Sequence, residues 1–234
     1  MDTANEFLRI SEAMKRILLF LLISQRVVSQ DNHYANWLSM QVRVELPQKW
    51  EWHNDAGYRT TGSDWQASQF LYRTGIRYSL SDKHAVMAGV ALFYTSLNGE
   101  NEYRVYEEER RIWQEYAFES SIKKWQFQGR FRTEERFFQA VSNKSARYVT
   151  RLRLRVSATR YFDEHWGMQL ANEYMYQFDY GTGKFNQFRF AISGLYKMKR
   201  NWQLQFGYMG LQWPDILQHA IVLSVQKKFK NNDH

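Results

Sequence analysis

The sequence predicts an all-β chain: an antiparallel up-and-down transmembrane β-barrel of about twelve strands, with ten as the alternative, in one domain behind a cleaved signal peptide. Three observations predict it. Apolar and polar residues alternate at period two over segments of ten to fourteen residues. That exceeds the five or six residues usual in a soluble sandwich and suits a strand tilted across a bilayer. Tight turns and longer loops alternate along the chain, the pattern of barrels whose turns lie on one side and loops on the other. Tryptophans recur directly after the tight turns, a spacing that would set them at one depth.

The front end reads as a targeting segment. Met14-Lys15-Arg16 is a short basic region, "ILLFLLI" is an apolar core of seven residues, and Val27 and Ser29 stand before a cleavage point at Gln30. Residues 14–29 are therefore expected to be a signal peptide, and residues 1–13 an extension from an upstream mis-called start. The alternative is an amphipathic N-terminal helix beginning at Thr3. Residues 30–234 form the barrel domain. With no cysteine, the chain carries no disulfide framework and no thiolate metal site. The formal charge of +8 permits nucleic acid or anionic lipid as partner. Where the cations fall decides between them.

Eleven strand-like segments can be marked. Tyr34–Leu46 turns Leu38, Met40, Val42, Val44 and Leu46 to one side and Gln41, Arg43 and Glu45 to the other. Trp50–Arg59 carries Asp55 and Arg59 on its polar face. Gln66–Leu80 opposes Phe70, Tyr72, Ile76 and Tyr78 to Arg73 and Arg77. His84–Leu97 is mainly apolar, and Arg111–Ile122 carries Glu115 and Glu119. Trp125–Phe137 sets Phe127 and Phe131 against Gln128, Arg130, Arg132 and Glu134. Tyr148–Tyr161 has Leu152, Leu154 and Val156 on one face and Arg151, Arg153 and Arg155 on the other. Trp166–Phe178 brings Gln169, Glu173 and Gln177; Phe185–Met198 brings Gln187 and Arg189 opposite Phe188, Phe190, Ile192 and Tyr196. Trp202–Gln212 and His219–Phe229 complete the set, with apolar faces led by Leu204, Phe206 and Tyr208, then Ile221, Leu223, Val225 and Phe229. Single-chain bacterial barrels normally have an even strand number. A twelfth strand, or a break, is therefore expected, unless the N-terminal segment threads the lumen.

Four of the five tight turns lead straight into Trp50, Trp125, Trp166 and Trp202. With Phe229 these form an expected interfacial girdle, and Lys49, Lys124, Lys199 and Arg200 in the same turns would meet headgroups or water. A lipid-facing arginine near the midplane costs about 2–4 kcal/mol. Three in a row would cost roughly 6–12 kcal/mol, comparable to a whole domain's stability. Arg151, Arg153 and Arg155 must line a lumen. Glu134, Glu173, Glu115 and Glu119 on nearby segments can interleave with them, with Arg43, Arg73, Arg77, Arg130, Arg132 and Arg189 completing the network. Such a lattice either fills a small barrel with satisfied polar groups or makes a cationic lumen selective for small anions.

Trp37 with "QVRVEL", "RLRLR", "NEYMYQF" with Glu173, "FNQFRFAISGLYKM" with Arg189 and Gly194, and "LQFGYM" resemble, in that order, an uncharacterised outer-membrane family, domain-of-unknown-function family 2490. The resemblance covers essentially the whole mature chain. It implies an outer-membrane barrel and brings no established activity or catalytic residue. The terminal "VLSVQKKF" resembles the closing strand read by the barrel-assembly machinery, although residues 230–234 follow it.

Catalytic patterns are sparse. His53 with Asp55 on one face is the best base–orienter candidate, against an ordinary polar pair. "YEEERR" (Tyr106 to Arg111) reads as a solvated charge run in the longest loop. Gly181 and Gly183 read as turn glycines, since no helix follows to complete a phosphate loop. Cations alternating with lipid-compatible residues argue against nucleic acid. The expectation is a non-enzymatic outer-membrane barrel of a Gram-negative-type bacterium, monomeric, with no cofactor or metal. Its partners would be outer-membrane lipid, lipopolysaccharide and the assembly machinery. Its role would be a small channel or uptake component for small anionic solutes. A plugged structural or adhesive barrel is the alternative, and a lipid-modifying enzyme the third.

Overall fold

Among the described residues period-two alternation is realised in eleven strands. The computed structural model describes residues 32–62, 65–97, 105–141 and 144–230. The signal peptide and the extension before it lie outside the described residues. The strands are β1 (Asn32–Glu45), β2 (Trp50–Thr61), β3 (Gln66–Ser79), β4 (His84–Leu97), β5 (Val105–Ile122), β6 (Trp125–Phe138), β7 (Arg147–Tyr161), β8 (Trp166–Asp179), β9 (Thr182–Met198), β10 (Trp202–Gln212) and β11 (Leu217–Phe229). Each pairs antiparallel with its neighbours in sequence, and β1 closes on β11 to complete the barrel.

The number is eleven, not twelve, and the parity dictates the closure. An odd count leaves the first and last strands pointing the same way, so β1 and β11 pair in parallel from Asn32↔Leu217 to Val44↔Phe229. Parallel pairs are slightly less stable per residue, and side chains reinforce this seam. Ser39 Oγ donates to Ser224 Oγ at 2.9 Å, and Lys228 Nζ reaches Glu45 at 2.7 Å and Glu51 at 3.2 Å.

Two elements depart from the expected boundaries. β5 starts at Val105, six residues before Arg111, so "YEEERR" is strand and not loop. The β8–β9 connection is only Tyr180-Gly181, both in the left-handed region (φ 47° and 78°). This is the two-residue hairpin geometry whose twist suits the flanking strands. Thr182, Gly183 and Lys184, expected in a longer loop, therefore belong to β9.

The two faces sort as the alternation requires. Large apolar residues such as Leu154, Val90 and Ile221 stand outward and exposed, while Arg132, Glu134, Arg151, Arg153 and Glu173 are buried inside. An outer face with this many exposed large apolar residues is compatible with a β-barrel membrane protein. No described helix is long and apolar enough to cross a membrane; crossing by strands needs none. Eight strands enclose an interior that ordinary side chains fill. Eleven enclose more, and the long side chains of arginine, glutamate and tryptophan occupy it. Two small apolar clusters also lie inside: Leu71, Ala91, Phe93 and Trp113 on β3–β5, and Ala35, Leu211 and Ala220 near the seam.

Candidate functional site: the luminal Arg/Glu web

The web is built on β5–β9. Arg151, Arg153 and Arg155 share the inner face of β7 because they stand two residues apart. The register sets Arg151 opposite Glu134, but it also sets Arg153 opposite Arg132 and Arg155 opposite Arg130 on β6. Like charges directly opposed are unfavourable, so carboxylates on the flanking strands must compensate, Glu115 on β5 standing opposite Arg132 and Glu173 on β8 opposite Arg155.

They do so with fork geometry. Arg153 donates from Nη1 to Glu134 Oε1 at 2.6 Å, and from Nη2 to both oxygens of Glu173 at 2.8 and 2.9 Å. Arg151 donates to Glu134 Oε2 from Nε at 3.0 Å and also from Nη2. Arg130 Nη2 reaches Glu173 at 2.6 Å, and Arg132 holds Glu115 through Nε at 2.7 Å and Nη2 at 2.6 Å. Arg189 approaches Glu173 at 3.6 Å and donates to Gln187. Charge-assisted bonds of this kind are the strong ones.

Sequence reasoning missed an upper tier. Glu109 on β5 accepts from Arg111 (2.5 and 2.8 Å) and from Arg136 (2.6 and 3.2 Å), and Arg111 also reaches Glu134 at 3.3 Å. Glu107 accepts two bonds from Arg147. Aromatic faces complete this tier: Arg111 lies 3.5 Å over Phe93, Arg132 4.3 Å over Trp113 and Arg147 3.8 Å over Phe138. The signal was present. Glu107, Glu109, Arg111 and Trp113 continue the frame of Glu115 and Glu119 at period two.

The remaining expected members form separate groups. Arg73 pairs with Asp55, and Arg77 bonds Glu119 at 3.3 Å. Arg43 sits opposite His53 and Lys228 near the tight-turn rim, away from the central web. His53 does not pair with Asp55: its Nε2 meets Glu51, and Asp55 belongs to Arg73. The expected His53–Asp55 pair is therefore not formed, and the carboxylate partner of His53 on that strand is Glu51. Trp50, Trp125, Trp166 and Trp202 are the first residues of β2, β6, β8 and β10, and Phe229 is the last of β11. All five share the outward side of one rim.

Cations outnumber anions in the central web. Eight guanidiniums (Arg111, Arg130, Arg132, Arg136, Arg151, Arg153, Arg155 and Arg189) meet four carboxylates (Glu109, Glu115, Glu134 and Glu173) among the described residues. Each carboxylate is thus shared.

A closed sheet with an apolar exterior and an ion-paired interior defines a β-barrel of the membrane class. Residues 35–214 match the family described as "Protein of unknown function (DUF2490)", and the chain belongs to that family. No curated protein matches it.

Proposed function

We propose that the protein is an outer-membrane β-barrel, exported by residues 14–29, whose lumen is plugged by its own side chains and which acts through its rims as a structural or contact element rather than as an enzyme. The observation that carries this is burial on the luminal side. Glu134, Arg153 and Glu173 face inward yet are only 2 %, 5 % and 6 % exposed. Charged groups lining an open aqueous pore would be wet; these touch one another instead.

Other features support the setting. Outward cations lie over the rim aromatics, Arg160 over Trp125 at 5.5 Å and Lys227 over Trp202 at 5.1 Å. They would meet lipid phosphates and lipopolysaccharide at the interface. β11 ends on Phe229, the residue type that barrel-assembly machinery reads. At the opposite rim Tyr34, Trp65 and Tyr180 are strongly exposed, Tyr180 by 84 %, and offer adhesive contacts.

Purified protein in planar bilayers is expected to give no ohmic steps above the empty-membrane baseline. Steady steps from the wild type would overturn the plugged reading. They would select the second one, a narrow anion-preferring channel, which the surplus of arginine over carboxylate favours. Fractionation tests the location: the folded chain should sit in the outer-membrane fraction and migrate differently on a gel before and after heating.

A further inference from the structure

Buried donors left without a partner are concentrated in one place. Among the described residues the buried side-chain donors lacking a hydrogen bond are Trp113 Nε1, Arg130 Nε and Arg132 Nη1, all on β5 and β6. Arg132 Nη1 comes only to 3.7 Å of Glu134, and Arg130 Nε only to 3.5 Å of Glu115. Trp113 lies directly under the Arg132 guanidinium. Arg155 on β7, opposite Arg130 on β6 and Glu173 on β8, holds one long bond of 3.4 Å to Gln169 and has no carboxylate within ion-pair distance among the described residues. Buried polar groups are almost always satisfied, and each exception calls for a reason such as a bound ion.

Charge points the same way. Arg130, Arg132, Arg153 and Arg155 share this stretch of wall with Glu115, Glu134 and Glu173, and Glu134 and Glu173 are also shared with Arg111, Arg151 and Arg189, so cations exceed carboxylates. An unpaired charge held out of water is strongly unfavourable. In the opposed pairs Arg130↔Arg155 and Arg132↔Arg153, Glu173 bonds Arg130 and Arg153 and Glu115 bonds Arg132, while Arg155 faces Glu173 on β8 without an ion pair to it.

We propose that this wall is a binding site for a small oxyanion, a phosphate or sulfate group, held by Arg130, Arg132 and Arg155 on the luminal face of β6 and β7. The chemistry fits: a tetrahedral oxyanion opposes the surplus of cations and accepts from several guanidinium forks at once. The site goes beyond the barrel reading and does not need the ion to pass through. Conductance and binding therefore fail independently.

The test is binding of inorganic phosphate and of sulfate to the full-length folded protein in detergent, read by calorimetry and by the heat-unfolding midpoint. Saturable binding near one per chain and a phosphate-dependent rise in midpoint are expected. Arg155→Gln should weaken binding by about tenfold or more, since it removes a charge-assisted partner, while Arg77→Gln on β3 should leave it unchanged. In anion-free buffer Arg155→Gln should fold and be at least as stable as the wild type, because it relieves the opposition to Arg130. Glycerol phosphate in place of phosphate separates the sources: binding of both identifies the phosphate group of a larger molecule, and binding of the inorganic ion alone identifies free phosphate. No saturable binding, or equal affinity in Arg155→Gln, overturns the proposal. Should Arg155→Gln not fold, Arg130→Lys carries the same comparison.

Discussion

The imbalance of charge in the lumen makes an asymmetric prediction: removing a carboxylate should cost far more than removing an arginine. Consider Glu134→Gln. Arg153 keeps both bonds to Glu173, and Arg111 keeps Glu109, but Arg151 loses the one carboxylate it meets among the described residues and is left with neutral acceptors, the new amide oxygen and Asn186 at 3.4 Å. One buried guanidinium is left uncompensated, which costs about 3–5 kcal/mol. Now consider Arg153→Met, which roughly conserves volume. Glu134 still holds Arg151 and Arg111, and Glu173 still holds Arg130 and Arg189. No carboxylate is stranded, and the opposition of Arg153 to Arg132 disappears. The loss is then a few charge-assisted bonds offset by that relief, about 1–2 kcal/mol net. The assay is denaturant unfolding of the refolded protein in lipid vesicles, followed by tryptophan fluorescence. If Arg153→Met destabilises as much as Glu134→Gln or more, the lumen is not cation-rich in the way its contacts indicate.

Three further outcomes follow from other parts of the barrel. Gly89→Ala places a methyl 2.2 Å from the carbonyl oxygen of Thr74 and 2.5 Å from the Trp113 ring, so it should cost about 1–3 kcal/mol; an unchanged midpoint would mean the β3–β5 wall can give way. Leu154→Arg, at an outward position 55 % exposed, should lose about 2–4 kcal/mol in a bilayer but little in a purely aqueous setting; a neutral result in vesicles removes Leu154 from the lipid belt. Asp163 accepts from the backbone N–H groups of Trp166 and His165 at 2.7 Å each, which holds its carboxyl below the ordinary aspartate range. A depressed carboxyl contributes stability above the unfolded value and loses it as pH falls through the folded one. The stability gap between the wild type and Asp163→Ala should therefore be full at neutral pH and shrink below pH about 4; a gap that widens on acidification contradicts the bonding.

Much of this was legible because a strand's side-chain period is two. Leu152, Leu154 and Val156 could not share a face with Arg151, Arg153 and Arg155, and the lipid cost of arginine then fixed which side was inside. Eleven segments were also legible; only the even-number rule argued for a twelfth, and that rule describes a tendency of bacterial barrels rather than a constraint on closing a sheet. Composition misled at β5. Five charges in six residues read as solvent-bound, yet their alternation sends Glu107, Glu109 and Arg111 inward and Glu108 and Arg110 outward. The β8–β9 turn was hidden by Gly183, which looks like a loop residue but sits in β9 beneath Tyr176. That Glu134 and Glu173 serve the arginine triplet was legible, and the structure pairs them with Arg151 and Arg153; the remaining pairings were not legible. Arg130 reaches Glu173 two strands away, past the arginine directly opposite it, and only the register shows that the direct neighbour is a like charge.

The interior chemistry follows from the size of the barrel. An eleven-strand sheet encloses more space than the eight-strand barrels that ordinary side chains fill, and a chain that must turn its leucines and phenylalanines toward lipid has few left for inside. Arginine answers both demands: its stem is long enough to reach inward, and its planar head stacks on Trp113, Phe93 and Trp37 while bonding in its own plane. Each such head needs a carboxylate or an equivalent anion, and the web supplies four carboxylates for eight. Aliphatic side chains of similar volume would often be as stable as paired charges in such a space. Packing alone therefore does not explain the choice of charge. A wall that sets Arg155, without an ion pair among the described residues, beside the unsatisfied donors of Arg130 and Arg132 has the composition of a receptor for an anion, and an inert filling would have balanced its charges.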